Sequence, residues 1–375
     1  MICMREHFDF AVIGAGIAGV SVAAELAAHA SVVLLEKERQ PGYHSTGRSA
    51  AYFSASYGSA AVRAATAASD SFFRVPPDGF SEAPLLRPRD TLFVARQDQL
   101  PQLSAFYEEI PRLERISGSE AIGQVSILDR GNIAAGLVET GGGDIDVEST
   151  LRGFLRQLDR QGGVCRYQQQ VRALTRSSSG WLLTTDNETL ECETVVNAAG
   201  SWAGELGLLA GLSDLGIMPR RRTALLLRLP DVIFDAEWPL VVDMDEDFYF
   251  KPDAGLLLLS PADETPSVPC DVQPEEWDLA IAMDRFQRAT TLSIPQIEHK
   301  WAGLRSFSGD MEFVVGFDPR VKGFFWLAGQ GGYGVQSAPG LAKLSASLLL
   351  DEPDRMPKQL AQYLDVLSPG RLIEF

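Results

Sequence analysis

An α/β fold, α+β once the whole chain is counted, follows from three observations in the 375 residues. A strand, a glycine turn, a helix and a second strand open the chain. A buried apolar strand ending in Asn197-Ala-Ala-Gly200 lies near the middle, and a last apolar strand enters a glycine-dense turn and a helix. Nucleotide-type units thus sit at the beginning, the middle and the end, with sheet-rich material between them.

Residues 8–13 form the first strand, which ends in Gly14-Ala-Gly16-Ile-Ala-Gly19; Val20, Ala23, Leu26 and Ala27 then recur at helical spacing. Residues 31–35 are apolar throughout, as where both faces of a parallel sheet are covered, and Glu36 closes this second strand. Residues 11–35 superficially suggest a signal peptide or membrane span, but three glycines, Glu25 and His29 interrupt them, and the period changes along the run. A polar loop at 41–49 leads into a helix, Pro76-Pro-Asp-Gly79 breaks the chain, and 90–95 has strand character. From about 95 to 140 helix and strand signals mix, and no assignment follows. A turn at 141–146 precedes an amphipathic helix carrying Leu151, Phe154, Leu155 and Leu158. A strand at 171–173, a hairpin of 181–186 with 189–191, and a separate buried strand at 194–200 follow. Strands at 223–229, 239–244, 248–251 and 323–328 come next, the last running into Gly329-Gln-Gly-Gly-Tyr-Gly334 and a helix to about Leu350.

Apolar residues make up 45% and charged residues 22%, an ordinary globular balance. The formal net charge of −17 argues against a nucleic-acid binder and against adhesion to an anionic membrane. Cys3, Cys165, Cys192 and Cys270 are scattered, which favours a reducing, cytoplasmic setting over a disulfide framework or a zinc site. The four histidines, at 7, 29, 44 and 299, make a His-rich metal site a poor expectation.

The glycine pattern stands where a dinucleotide site needs it, between strand and helix. Gly14 permits the tight turn, Gly16 lets backbone approach a pyrophosphate, and Gly19 lets helix pack on strand. The helix N-terminus then offers free N–H groups and partial positive charge, and Glu36, about twenty residues on, can accept from ribose hydroxyls. FAD is favoured over NAD because the chain leaves the first nucleotide unit early and returns near 194–200 and 323–350. The turn at 329–334 can aim N–H groups and a helix dipole at the far end of a flavin; an ordinary tight connection is the alternative.

The segments VIGAGIAG with LLEKE, PGYHSTGRSAA, VNAAGSWA, and WAGLRSF followed by GQGGYGVQ resemble the FAD-dependent D-amino-acid oxidase superfamily, and within it the bacterial D-arginine dehydrogenases. The resemblance covers nearly the whole chain and implies non-covalent FAD in a Rossmann-like domain built from residues 1–80, 141–215 and 300–375. A mostly antiparallel sheet from 81–140 and 216–299 would form the substrate domain. By the same resemblance Glu36 holds the adenosine ribose; His44, Ser45, Thr46, Arg48, Ser49 and Ala50 line the flavin and pyrophosphate; and Val171 meets the adenine. The matching segments add Ala18, Lys37, Ala199, Gly200, Trp202, Gly303, Gly331, Gly332, Tyr333, Gly334 and Gln336 to the cofactor shell. Arg222 and Arg305 fall where the family clamps a substrate carboxylate, and Tyr57 and Tyr249 on its active-site tyrosines. Two positions depart from the pattern: the family's side-chain-recognising glutamate aligns with Thr91, and its pocket histidine with Tyr52. Asp90 neighbours Thr91, but strand alternation points it to the opposite face.

Two guanidiniums suit a carboxylate because each donates parallel charge-assisted hydrogen bonds. On spacing alone Arg220-Arg221-Arg222 reads as a solvated basic turn and Tyr249 as a packing aromatic, whereas Arg305, between apolar neighbours, needs an anionic partner if buried. The implied reaction is oxidative deamination of a D-amino acid, by hydride transfer from the α-carbon to flavin N5 with the amine neutral, then hydrolysis to a 2-oxo acid and ammonia. A quinone or dioxygen would reoxidise the flavin. Oxidation of glycine, sarcosine or another secondary amine, a non-catalytic FAD-binding subunit, and a nicotinamide-only dehydrogenase are the competing expectations.

Overall fold

The computed structural model describes residues 6–293 and 296–373, so Cys3 lies outside the described residues. Five parallel strands form the heart of an eight-stranded sheet, in the spatial order Val164–Arg166, Val32–Leu35, His7–Ile13, Thr189–Asn197 and Phe324–Ala328. The chain leaves the central strand His7–Ile13 toward Val32–Leu35 on one side and reaches Thr189–Asn197 on the other. That reversal opens a crevice at the carboxyl ends of the strands, where α/β sheets bind their ligands. Gly14, Glu36, Ala198 and Gly329 each follow one of these ends. The antiparallel strands Val171–Ser177 and Gly180–Thr185 extend one edge, and Val314–Phe317 pairs with Phe324–Ala328.

Alternation along the central strand packs both faces of this sheet. Phe10 and Val12 meet the helices Ile17–Ala27, Ala60–Arg74, Val147–Arg160 and Gly334–Leu349 on one face. Ala11 and Ile13 join Trp181, Leu183 and Trp326 on the other.

A nine-stranded sheet, antiparallel but for the junction of Thr91–Ala95 with Leu240–Asp243, carries the rest of the site. Its longest pair joins Met218–Arg228 to Gln296–Phe307. One face is apolar: Leu225, Leu227, Phe250, Leu257 and Leu259 pack under the helix Glu276–Ala289. The residues of opposite parity, Arg222, Ala224, Tyr249 and Lys251, face the crevice of the first sheet. A small antiparallel sheet, Tyr52–Phe53, Gly143–Ile145 and Leu86–Pro88, lies near the junction.

Several local expectations change. The expected hairpin arm at 189–191 and buried strand at 194–200 are one nine-residue strand, Thr189–Asn197, antiparallel to Gly180–Thr185 at its start and parallel to His7–Ile13 along it. The expected turn at 141–146 contains the strand Gly143–Ile145. The indeterminate stretch holds Leu100–Glu109, Glu114–Ser117, Gly118–Gln124 and Ala135–Glu139, and Gln296–Phe307 is a long strand that spacing had not marked. The run 11–35 is strand, turn, helix and strand, and among the described residues no helix is long and apolar enough to cross a membrane.

Candidate cofactor and substrate site

The glycine turn is built from close approach. Gly14 has φ +104°, and a Cβ on it would stand 2.5 Å from the Ala198 carbonyl oxygen. A Cβ on Gly19 would lie 1.8 Å from the Gly14 carbonyl oxygen, so the helix can rest on the turn only without a side chain there. The helix Ile17–Ala27 has neither a side-chain cap from Gly16 nor an acidic residue in its first turn, which leaves its positive end available to an anion. The Ile17 N–H donates to Thr46 Oγ1 at 3.0 Å. Glu36 is buried and locks the loop, accepting from the Ala15 N–H at 2.7 Å on one oxygen and from the Glu38 N–H at 2.9 Å on the other. Each oxygen retains a second lone pair for a ligand hydroxyl.

From this turn a cavity runs to the nine-stranded sheet. Its walls bring together Gly14, Gly16, Ala18, Glu36, Lys37, His44, Ser45, Thr46, Arg48, Ser49, Ala50 and Val171. Ala199, Gly200, Trp202, Gly303, Arg305, Gly331, Gly332 and Gly334 complete the expected set. Three expected cofactor residues stand elsewhere. Gly19 is turned into the strand–helix contact, and Tyr333 packs edge-on against Tyr57 at 4.8 Å. Gln336 is buried in the wall of the smaller cavity, where it accepts from the Ser54 N–H and donates to Thr66 Oγ1 at 2.9 Å.

Of the five buried side-chain polar atoms without a partner among the described residues, three belong to residues that line this cavity: His44 Nδ1, Arg222 Nε and Gln330 Nε2. Buried polar atoms are normally satisfied, so such a cluster marks where ligand atoms complete the bonding. Arg48 is already committed: its guanidinium donates to the Val272 and Ala302 carbonyls and pairs with Asp271, which ties the polar loop to the strand Gln296–Phe307 rather than to a phosphate. Ser45 does similar work, donating to the Leu304 carbonyl at 2.6 Å. Lys37 Nζ sits 3.1 Å from the centre of the Trp202 ring, a cation–π contact in which burial draws the lysine pKa below its usual value.

His44 lies 2.8 Å through Nε2 from a Glu38 carboxylate oxygen, which can only accept, so Nε2 carries the proton and Nδ1 offers a lone pair. Burial lowers its pKa below the ordinary 6.5. Above 6.5 the ring is neutral folded and unfolded; as pH falls below 6.5 the unfolded chain takes up a proton that the folded site resists. The urea midpoint of the FAD-free protein should therefore drop more between pH 7 and 5.5 than that of His44→Asn, and equal drops would remove His44 as the cause.

A second, smaller cavity adjoins the first, and Ser49, Ala50, Arg222, Tyr249, Arg305 and Gly332 line both. Tyr52, Tyr57 and Thr91 line the second alone. Arg222 stands opposite Gly303 in the ladder and Arg305 is two residues further along that strand, so both guanidiniums project from one face. The triplet 220–222 is therefore not a solvated turn. Arg221 points to the other face, pairing with Asp278 at 2.9 Å, while Arg220 and Arg222 share Glu264 at 2.7 and 2.8 Å. Arg305 differs from all of these. Among the described residues it forms no salt bridge, and it stands with Tyr57 and Tyr249 in the lining of the smaller cavity. Gly332 makes room for it, since a Cβ there would come within 2.8 Å of Nη1.

Tyr249 faces the cavity while Phe248 and Phe250 are core, so alternation overrides the packing expectation. Burial and Glu246, whose oxygen accepts from the hydroxyl at 3.4 Å, keep Tyr57 protonated. Thr91 donates to the Tyr52 hydroxyl at 3.0 Å, the Tyr52 hydroxyl donates to the Arg89 carbonyl, and Asp90 is exposed on the other side. Spacing passed over Lys251, Glu246 and Gln330, each of which lines one of the cavities. Lys251, two residues after Tyr249 on the same strand, was open to the period-two argument.

A family model described as DAO, FAD dependent oxidoreductase, matches residues 9–348. Dimethylglycine dehydrogenase of Mus musculus is 28% identical over 247 residues, 60% of this chain but only 28% of that protein's length. Among solved structures, L-proline dehydrogenase from P. horikoshii superposes with a TM-score of 0.85 at 20% identity, covering 98% of each chain. Glycine oxidase from Geobacillus kaustophilus superposes with a TM-score of 0.84 at 22% identity, covering 98% of this chain and 100% of the other. At these identities the superpositions establish the fold.

Proposed function

The chain belongs to the DAO family of FAD dependent oxidoreductases, and from that premise we propose that it oxidises the C–N bond of an amine bearing a carboxylate, in full a D-amino acid converted to its 2-oxo acid and ammonia. The observation that carries the carboxylate is Arg305, a cation facing the junction of the two cavities with no ion pair among the described residues. A guanidinium withdrawn from water is stabilised by an anion held in its plane.

The glycine turn, the open helix end and Glu36 would hold the adenosine and pyrophosphate of FAD, and His44, Gln330 and Gly331 the remainder. FAD, when bound, supplies the acceptor for the hydride leaving the substrate carbon. Arg305 fixes the carboxylate and so the carbon, and Arg222, already half-neutralised by Glu264, contributes its free Nε. The hydroxyls of Tyr57 and Tyr249 close the site around the amine. Glu246 is the single carboxylate among the described lining residues of the smaller cavity, and it is held against Tyr57, so no strong base is provided at the carbon. A quinone or dioxygen as acceptor belongs to the same proposal, as does a cytoplasmic setting, which the free thiols of Cys165, Cys192 and Cys270 suit.

Oxidation of glycine or a secondary amine is the second reading, favoured by the likeness to glycine oxidase, L-proline dehydrogenase and dimethylglycine dehydrogenase. Anaerobic mixing of the FAD-loaded protein with D- and L-amino acids, glycine, sarcosine and proline separates the two. Bleaching by chiral D-amino acids alone is the expected result. Bleaching by glycine, sarcosine or proline instead installs the second reading, and bleaching by none places the substrate outside amino acids.

A further inference from the structure

The far wall of the substrate cavity holds a buried lysine that the carboxylate clamp does not use. Lys251 is 3% exposed, lines the smaller cavity, and shares the strand face of Tyr249. By register Val242 lies opposite Tyr249 and Leu240 opposite Thr91. Lys251 therefore comes level with Leu240 and Thr91 in a row across the sheet.

The charges around it do not cancel. Lys251 Nζ donates to Asp144 at 2.6 Å, but the other oxygen of Asp144 is taken by Arg89 at 2.8 Å, so two cations share one carboxylate. Asp253 is 4.0 Å away and 43% exposed, where water screens it. Glu139, opposite Thr91, is occupied by Arg112 at 3.0 Å and by Ser54. Glu246 lies beyond the opposite end of the strand, on Tyr57.

The neighbouring polar groups have also used their donors. Thr91 gives its hydroxyl proton to Tyr52, and Tyr52 gives its own to the Arg89 carbonyl. An ammonium has three protons, and Asp144 takes one from Lys251, leaving it as the donor of this wall. At this wall a cationic side chain meets like charge, with Asp144 already shared and Glu246 at the opposite end of the strand; an anionic one meets the unspent donors of Lys251.

We propose that this enzyme selects a dicarboxylic amino acid, whose distal carboxylate Lys251 binds while Arg305 holds the first. The inference rests on the carboxylate-clamp reading above and narrows it. Lys251 thereby becomes the specificity-determining residue, and Thr91 matters by not being acidic.

Inert acids test it without turnover. Glutarate and valerate, of equal chain length, are titrated into the FAD-loaded protein and followed by the flavin absorption spectrum. The acid and amide members of a pair, glutamate and glutamine in each enantiomer, are compared by kcat/KM, beside arginine and lysine. The expected result is glutarate at least ten-fold tighter than valerate, with the same order of preference for glutamate over glutamine. Lys251→Met should abolish the preference and Lys251→Arg should retain it. If Lys251→Met fails to fold because Asp144 is stranded, Thr91→Glu serves instead, since it places a carboxylate beside the ammonium and should abolish or reverse the preference. Equal binding of glutarate and valerate, or arginine and lysine as the faster substrates, overturns the inference and leaves the clamp standing. If neither acid perturbs the flavin and no amine bleaches it, the clamp reading itself has failed.

Discussion

Arg305→Ala is expected to lower kcat/KM by about 10²- to 10³-fold, some 3–4 kcal/mol of transition-state binding. The size follows from its surroundings. The guanidinium is half-buried where the two cavities meet and among the described residues has no carboxylate to share, so a substrate carboxylate meets its full charge. Orientation adds to charge: a carboxylate gripped by the planar fork sets the position of the adjacent carbon, and a misplaced carbon reacts slowly even when bound. Arg305→Lys should therefore recover part of the loss in KM and little of that in kcat. Arg222→Ala should cost less, because its charge is already opposed by Glu264 at 2.8 Å and Arg220 remains on that carboxylate. Steady-state kinetics of the three variants on one bleaching substrate check the order. An unchanged kcat/KM in Arg305→Ala would take Arg305 out of the site.

Gly19→Ala is expected to yield protein that retains less than about a tenth of its FAD and melts far below the parent. The added carbon would sit 1.8 Å from the Gly14 carbonyl oxygen, inside any tolerable contact. Relief requires the helix to lift from the turn, which moves the N–H groups aimed at the pyrophosphate and disturbs a helix that is buried along most of its length. Gly16→Ala makes the contrast. Its nearest neighbour within the protein would be Thr46 Oγ1 at 3.3 Å, so the fold should survive with a small fall in Tm while FAD affinity drops because backbone approach is blocked. FAD-to-protein absorbance ratios and thermal melts of both variants read the difference. Full FAD occupancy in Gly19→Ala would show that the turn yields more readily than its geometry allows.

The glycine turn was legible because its reasons are local: strand, turn and helix are consecutive, and a Cβ clash or a bare helix end involves residues within a few positions. Glu36 was legible for the same reason, as the first residue beyond the second strand. The clamp was another matter. Residues 220–222 look identical to a spacing argument, yet Arg221 turns to the helix Glu276–Ala289 and Arg222 to the cavity. Which parity faces the cofactor depends on the register with Gln296–Phe307, set by a strand more than seventy residues away. Arg48 lines the larger cavity as expected, but only the fold shows that its guanidinium also serves a loop at 270–272. Tyr333 is adjacent to Gly332 in the chain and yet packs away from the larger cavity, on Tyr57.

Order, spacing and side-chain type were enough for the class of fold, the dinucleotide turn and the presence of guanidiniums suited to a carboxylate, since each of these is written into short windows or into single residues. Pairing across the nine-stranded sheet settled which arginine is free, which tyrosine meets the cavity, and that Lys251 stands beside Thr91 with half of a shared carboxylate. Charge balance in a buried pocket is a sum over side chains from distant strands, and a sum of that kind exists only once the strands have met.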